Sequence, residues 1–138
     1  MDAPRDIFEK TLKDAGYSLT TSRKAVFNAL YRAEPQTMAE LIKKVVPSTD
    51  RASVYRVVIL FEKLGIVQRL QMGWKYKLEL SDTFAAHHHH LTCVNCGKII
   101  PLQESTELEH EIERAAKLRD FKPLAHQLEI SGLCPACQ

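Results

Sequence analysis

Asp50-Arg-Ala-Ser-Val-Tyr-Arg-Val-Val-Ile-Leu-Phe-Glu-Lys-Leu-Gly65 is the stretch that decides the fold of the first half of the chain. Val54, Val57, Val58, Phe61 and Leu64 recur at helical spacing, the signature of a buried stripe. Asp50 can accept hydrogen bonds from the free amides at the start of such a helix, and Gly65 can end it. The opposite face carries Ala52, Tyr55, Arg56 and Ile59: a small residue, an aromatic hydroxyl, a guanidinium and an outward apolar group. After Gly65 the period changes to two. Residues 66–71 and 74–80 read as strands joined around Met72-Gly73. In the second, Trp74, Tyr76, Leu78 and Leu80 face one way, and Lys75, Lys77 and Glu79 the other.

Working towards the N-terminus, residues 38–45 carry Met38, Leu41, Ile42 and Val45 on one helical face, with Pro47 as the stop. Thr37 and Glu40 form a capping-box pair in front of it. Residues 21–32 read as another helix, and residues 6–15 as a short amphipathic one ending near Gly16. A helix–turn–helix followed by a basic hairpin is the pattern of a winged-helix DNA reader. The third helix crosses the backbone, the fourth enters the major groove, and the hairpin touches phosphate nearby. The expected domain spans 1–82, with a hinge at 83–86.

The rest of the chain, 87–138, is a different composition. It holds all four Cys and all six His, with 5 Lys/Arg against 7 Asp/Glu, whereas residues 1–86 hold 14 against 10. Strands are expected at 87–93, 98–102 and 124–131. A helix is expected at 105–119, with Leu108, Ile112, Ala115 and Ala116 inward. The last strand would put Leu124, His126, Leu128 and Ile130 on one face. About 50 residues make too small a core to stand without a staple or a partner chain. The longest strictly apolar run is 57–61, far short of the about 20 residues of a membrane span. The start of the chain, Met1-Asp-Ala-Pro-Arg5, lacks the features of a signal peptide. A cytoplasmic location is expected, in which four Cys bind metal or do redox chemistry rather than form disulfides.

Cys93-Val-Asn-Cys96-Gly and Cys134-Pro-Ala-Cys137 are two C-x-x-C knuckles. Each can place two thiolates at neighbouring corners of a zinc tetrahedron, and together they saturate it. The alternative is a dithiol pair or four free Cys. The 37 residues between the knuckles call for a folded element there. His87-His88-His89-His90 lies directly upstream. On a strand, His87 and His89 share one face, and His88 and His90 the other, so the run can seed two metal sites. The alternative is a solvated polar strand. Further donors could come from His126, from Glu107, Glu109, His110 or Glu111 at the start of the helix, and from Glu79. Glu79 reads equally well as a surface charge.

Ala52-Ser-Val-Tyr-Arg56, Gly65-Ile-Val67, the run from His87 through Cys96-Gly-Lys-Ile-Ile100, and Cys134-Pro-Ala-Cys137 together resemble the ferric uptake regulator family of bacterial metal-responsive repressors. The resemblance extends from Leu19-Thr-Thr-Ser-Arg23 to the last knuckle. It implies an α+β chain: a winged helix-turn-helix domain, then a small α/β dimerisation domain with a zinc staple. It implies a homodimer that binds AT-rich inverted repeats on double-stranded DNA when loaded with a divalent metal. By the same resemblance Tyr55 and Arg56 contact DNA, with Arg51, Ser53 and Arg23 as further candidates. Cys93, Cys96, Cys134 and Cys137 hold structural zinc. Glu79, His88 and His90 form the regulatory site, and His87, His89, Glu107 and His126 a third site, where the helix register also allows Glu109.

Three positions depart from that pattern. Residues 34–41 contain no His, Pro101 stands where an acid is common, and Ser18 where some members carry Lys. The first two leave the sensing site short of donors, which favours four-coordinate zinc over Fe2+ or Mn2+. The four-His run also resembles zinc uptake regulators, although those bring a fifth Cys. Here Glu79, with Asp82 or Gln68, would take its place. The expected function is a metal-dependent repressor of metal-homeostasis genes, with zinc favoured and no enzymatic activity or small-molecule substrate. An iron-, manganese- or peroxide-responsive member, a metal buffer or a metal-independent DNA binder are the alternatives. A thiol oxidoreductase is disfavoured because Cys93 ends a strand rather than starting a helix. A zinc hydrolase is disfavoured because no helical H-E-x-x-H spacing occurs.

Overall fold

Burial of the apolar stripes divides the chain into two units, one ending at His87 and the other beginning at His88. The computed structural model describes residues 2–72 and 74–138. In the first unit come α1 (Ala3–Asp14), α2 (Thr21–Leu30), α3 (Met38–Val45), α4 (Arg51–Lys63), β1 (Val67–Met72) and β2 (Lys75–Leu80). The helix starts follow from local chemistry. The Thr37 and Glu40 side chains exchange hydrogen bonds with each other's backbone amides, and Asp50 accepts from the Ser53 amide at 2.9 Å. At the far end of α4, Gly65 adopts φ +71°, a left-handed conformation in which a Cβ is strained. The chain thereby reverses, and the Ile66 amide bonds back to Phe61 at 2.8 Å.

The helices close on an aromatic cluster. Phe27 is stacked on Phe8 with ring centroids 4.1 Å apart and meets Phe84 edge-on at 5.6 Å, while Phe8 meets Phe61 edge-on at 5.4 Å. Val54, Val57, Val58 and Phe61 of α4 are buried as their spacing requires. The β1–β2 hairpin lies in antiparallel register from Val67 opposite Leu80 to Met72 opposite Lys75, and Gln36 adds a one-residue bridge to Leu78.

Several boundaries differ from the sequence reading. Helix α1 starts at Ala3 because Pro4 is tolerated within a first turn. Helix α2 stops at Leu30, since Tyr31 is extended and Arg32 takes φ 55°. Trp74 precedes β2 and is 86% exposed, so it does not share the buried face of Leu78 and Leu80. Gly73 of the expected turn lies outside the described residues. Glu79 is buried rather than a surface charge. Phe84, in the expected hinge, is part of the first unit's core.

In the second unit β3 (His89–Cys93) is central, with β4 (Ile99–Leu102) antiparallel on one side and β5 (Glu129–Gly132) parallel on the other. Parallel neighbours need a crossover, and α5 (Thr106–Lys117), capped by Ser105, lies in it. A short 3-10 turn, Pro135–Cys137, follows. Strand β5 is half as long as expected, because β3 offers no partner residues before His89. Leu124, just after Pro123, is 90% exposed. Helix α5 buries no residue, and Ala115 is exposed. Cys93 and Cys134 are the only buried apolar side chains among the described residues of this unit. No described helix is long and apolar enough to cross a membrane.

Phe27→Ala should lower the unfolding free energy of the first unit by about 3–5 kcal/mol, as for other buried aromatics. Thr37→Ala should cost about 1 kcal/mol through loss of the cap. Urea unfolding followed by far-UV circular dichroism measures both.

Candidate metal centres and DNA-facing helix

The two knuckles meet because β3 and β5 run side by side, with Cys93 opposite Gly132 and the Val94 amide bonded to Gly132 at 2.9 Å. Each knuckle is a tight turn: the Gly97 amide returns to the Cys93 carbonyl, and the Cys137 amide to that of Cys134, both at 2.9 Å. All four sulfurs then fall within 4.8 Å of one another, and Cys96 Sγ lies 3.7 Å from Cys134 Sγ. A tetrahedron of zinc–sulfur bonds of about 2.3 Å has edges of about 3.8 Å, so the sulfurs are spaced for an ion and too far apart for a disulfide.

Electrostatics agree with that chemistry. Hydrogen bonds from the backbone at Cys134 and Cys96 hold the Cys93 thiol down at about 6. For Cys137 the Asn95 side chain lowers the value, but the Cys134 thiol, desolvation and the thiols of Cys93 and Cys96 outweigh it and push it up to about 11. A dication among the four sulfurs would offset the mutual repulsion of their thiolates.

A second set of donors converges in the same unit. His89, on β3, is 5% exposed. Its Nε2 lies 2.6 Å from Glu109 Oε1, and His126 Nε2 lies 2.9 Å from Glu109 Oε2. One carboxylate thus faces two imidazole nitrogens, and replacing the shared protons with a cation would leave a nitrogen–oxygen donor set suited to zinc, manganese or iron. The carboxylate comes from Glu109 and not from Glu107, which instead accepts from the Ser105 hydroxyl at the helix cap. The capped start of α5 at Thr106 sets which of the two faces β3. His126 reaches the site from the irregular segment before β5 and not from a strand.

His88 and His90 follow the alternation of the run, with ring centroids 4.5 Å apart. His90 is buried, and its Nδ1 lies 3.0 Å from Glu129 Oε1. A carboxylate on Nδ1 fixes the tautomer and orients Nε2 as a metal donor. Glu129 was not legible in the sequence as a partner of His90, since only the parallel register of β5 puts them opposite. In the first unit, Glu79 accepts from Gln68 Nε2 at 2.7 Å across the hairpin. His87 Nδ1 contacts the Asp82 carboxylate.

On α4, Arg51, Tyr55 and Arg56 are exposed. Ser53 turns its hydroxyl to Asp50 at 2.7 Å, and this bond holds the Asp50 carboxyl below the usual carboxylate range. Arg23 bonds the Ser18 carbonyl at 2.6 Å and lies over the Tyr17 ring.

Cys134→Ser should cost one bound zinc per chain and the second unit's resistance to proteolysis. His126→Ala should leave that zinc in place. Metal content by mass spectrometry after gel filtration, with limited proteolysis alongside, distinguishes the two.

A sequence model of the ferric uptake regulator family matches residues 14–131. The ferric uptake regulation protein of Legionella pneumophila is 35% identical over 133 residues, covering 92% of this chain and 96% of its own length. A peroxide-responsive repressor of Staphylococcus aureus is 31% identical over 136 residues, covering 93% of this chain and 87% of that protein. The crystal structure of the Vibrio cholerae ferric uptake regulator superposes with a TM-score of 0.74 at 30% identity, covering 91% of this chain and 98% of that one. With its four-cysteine cluster and His/Glu donor sets, the chain belongs to the ferric uptake regulator family, whose members are metal-responsive transcriptional regulators that dimerise and bind DNA operators.

Proposed function

We propose that this chain is a zinc-responsive repressor that binds AT-rich palindromic operators of metal-homeostasis genes as a homodimer in the cytoplasm. The observation that carries the choice of zinc is the number of donors around the His run. Glu109 joins His89 and His126, a small nitrogen–oxygen set that a four-coordinate ion suits better than a six-coordinate one. The position opposite His90 on β4 is Pro101, which offers no donor side chain. Gln36, in the segment that lacks His, is buried with its amide on the Ala29 carbonyl. Iron and manganese ordinarily take six nitrogen and oxygen donors.

Four roles follow. Cys93, Cys96, Cys134 and Cys137 would hold structural zinc. Glu79, His88 and His90 would hold the regulatory ion, with Glu129 orienting His90. His87, His89, Glu109 and His126 would hold a third. Tyr55, Arg56 and Arg51 would face the operator from α4, and Ser53 and Arg23 would brace that surface. Ile130 and Leu133, about half exposed beside the cysteine cluster, offer apolar surface for a second copy.

The test is selection of an operator from a random duplex library, then fluorescence anisotropy with zinc, manganese, iron(II) or a chelator that spares the cysteine site. Zinc should tighten binding about 5–150-fold, the usual range of coupling between two sites. His88→Ala/His90→Ala should lose that gain while keeping the cysteine-bound zinc. A palindrome recovered only with manganese or iron(II) would replace zinc as the sensed metal. Equal affinity with and without metal would end the regulatory reading.

A further inference from the structure

We infer that Ile59 is a specificity-determining residue of α4, packing its side chain against the C5-methyl group of a thymine in the major groove. The inference rests on the DNA-binding reading of that helix. Within α4, Val54, Val57, Val58 and Phe61 are at most 7% exposed, while Ile59 is 63% exposed. No other large aliphatic side chain among the described residues of the first unit is as exposed, the next being Val46 at 47%. The core does not need Ile59, which lies off the buried stripe. The helix does not need it either, since a β-branched residue has no advantage there over a polar straight-chain one.

Its surroundings identify an occupant. Ile59 shares a face with Tyr55 one turn before it and with Arg56 three residues before it. Arg56 and Lys63 are exposed on either side, and Arg51 is exposed at the helix start. The nearby acids are engaged: Asp50 caps the helix, and Glu62 pairs with Arg69 at 2.9 Å. An apolar centre with a cationic rim matches a groove whose walls are phosphates. In the floor of the major groove, the thymine methyl is the apolar group that a base pair presents. Four residues of helix advance about 6 Å, close to two base steps of about 3.4 Å, so Ile59 meets a different base pair from Tyr55.

The experiment replaces each thymine of one half-site of the selected operator by deoxyuridine, which removes only the methyl group. Binding of the metal-loaded full chain is measured for wild type, Ile59→Ala and Tyr55→Phe. At one or two positions methyl removal should weaken wild-type binding about fourfold, the effect of one buried methyl-sized group. At those positions Ile59→Ala should bind both duplexes equally, and Tyr55→Phe should keep the full penalty. A methyl penalty that is the same in wild type and Ile59→Ala at every position would overturn the inference while leaving DNA binding intact. Failure to recover any operator would remove the proposed function, and this inference with it. Ile59 is exposed, so its replacement leaves the core unchanged, and circular dichroism checks that the variant is folded.

Discussion

The second unit has almost no interior of its own, and the four-sulfur cluster is what the rest of it depends on. Cys93 and Cys134 are its buried apolar side chains, α5 buries none, and Leu118, Phe121 and Leu124 are all more than two-thirds exposed. A fold this small cannot offset its chain entropy through area burial alone. Bridging residues 93–96 to 134–137 closes the segment that contains β4, α5 and β5. It also holds β5 against β3, and that pairing in turn sets the positions of Glu129 and of the segment carrying His126. The cysteine cluster is therefore upstream of the histidine chemistry, although it shares no ligand with it.

The first unit is stabilised in the ordinary way. Phe27 is the hub of its core, touching Phe8, Tyr31 and Phe84, and the α4 stripe packs into the same interior. Burying one side of α4 so fully leaves the other side free of structural duty. Tyr55, Arg56 and Ile59 can be chosen for what they meet outside the chain, and an exposed Ile is tolerable because the unit's stability is met elsewhere.

One strand serves two sets of donors because alternate residues point to opposite faces. His89 turns to α5 and His126, and His90 turns to Glu129. Both histidines are buried, since β3 is the central strand of its sheet. Burying two imidazoles requires partners on each, and carboxylates from different elements provide them. The same pairing that satisfies the rings also orients their nitrogens.

Much of this was readable along the chain because it depends on near neighbours. Helical spacing marked the α4 stripe, Thr37 and Glu40 marked the capping box, and two C-x-x-C turns marked the cluster. Alternation separated His89 from His90. These are relations over two to four residues, fixed by backbone geometry whatever the rest of the molecule does. What the tertiary structure alone decided involves residues brought together by packing. The choice of Glu109 over Glu107 depends on how α5 sits on the sheet. The pairing of Glu129 with His90 spans 39 positions and exists only through the parallel register of β3 and β5. The burial of Glu79 required the hairpin to fold with Gln68 opposite it. Strand alternation says that a side chain turns to one face or the other. Whether that face meets water, a carboxylate or a core is set by elements distant in sequence, and no local pattern encodes it.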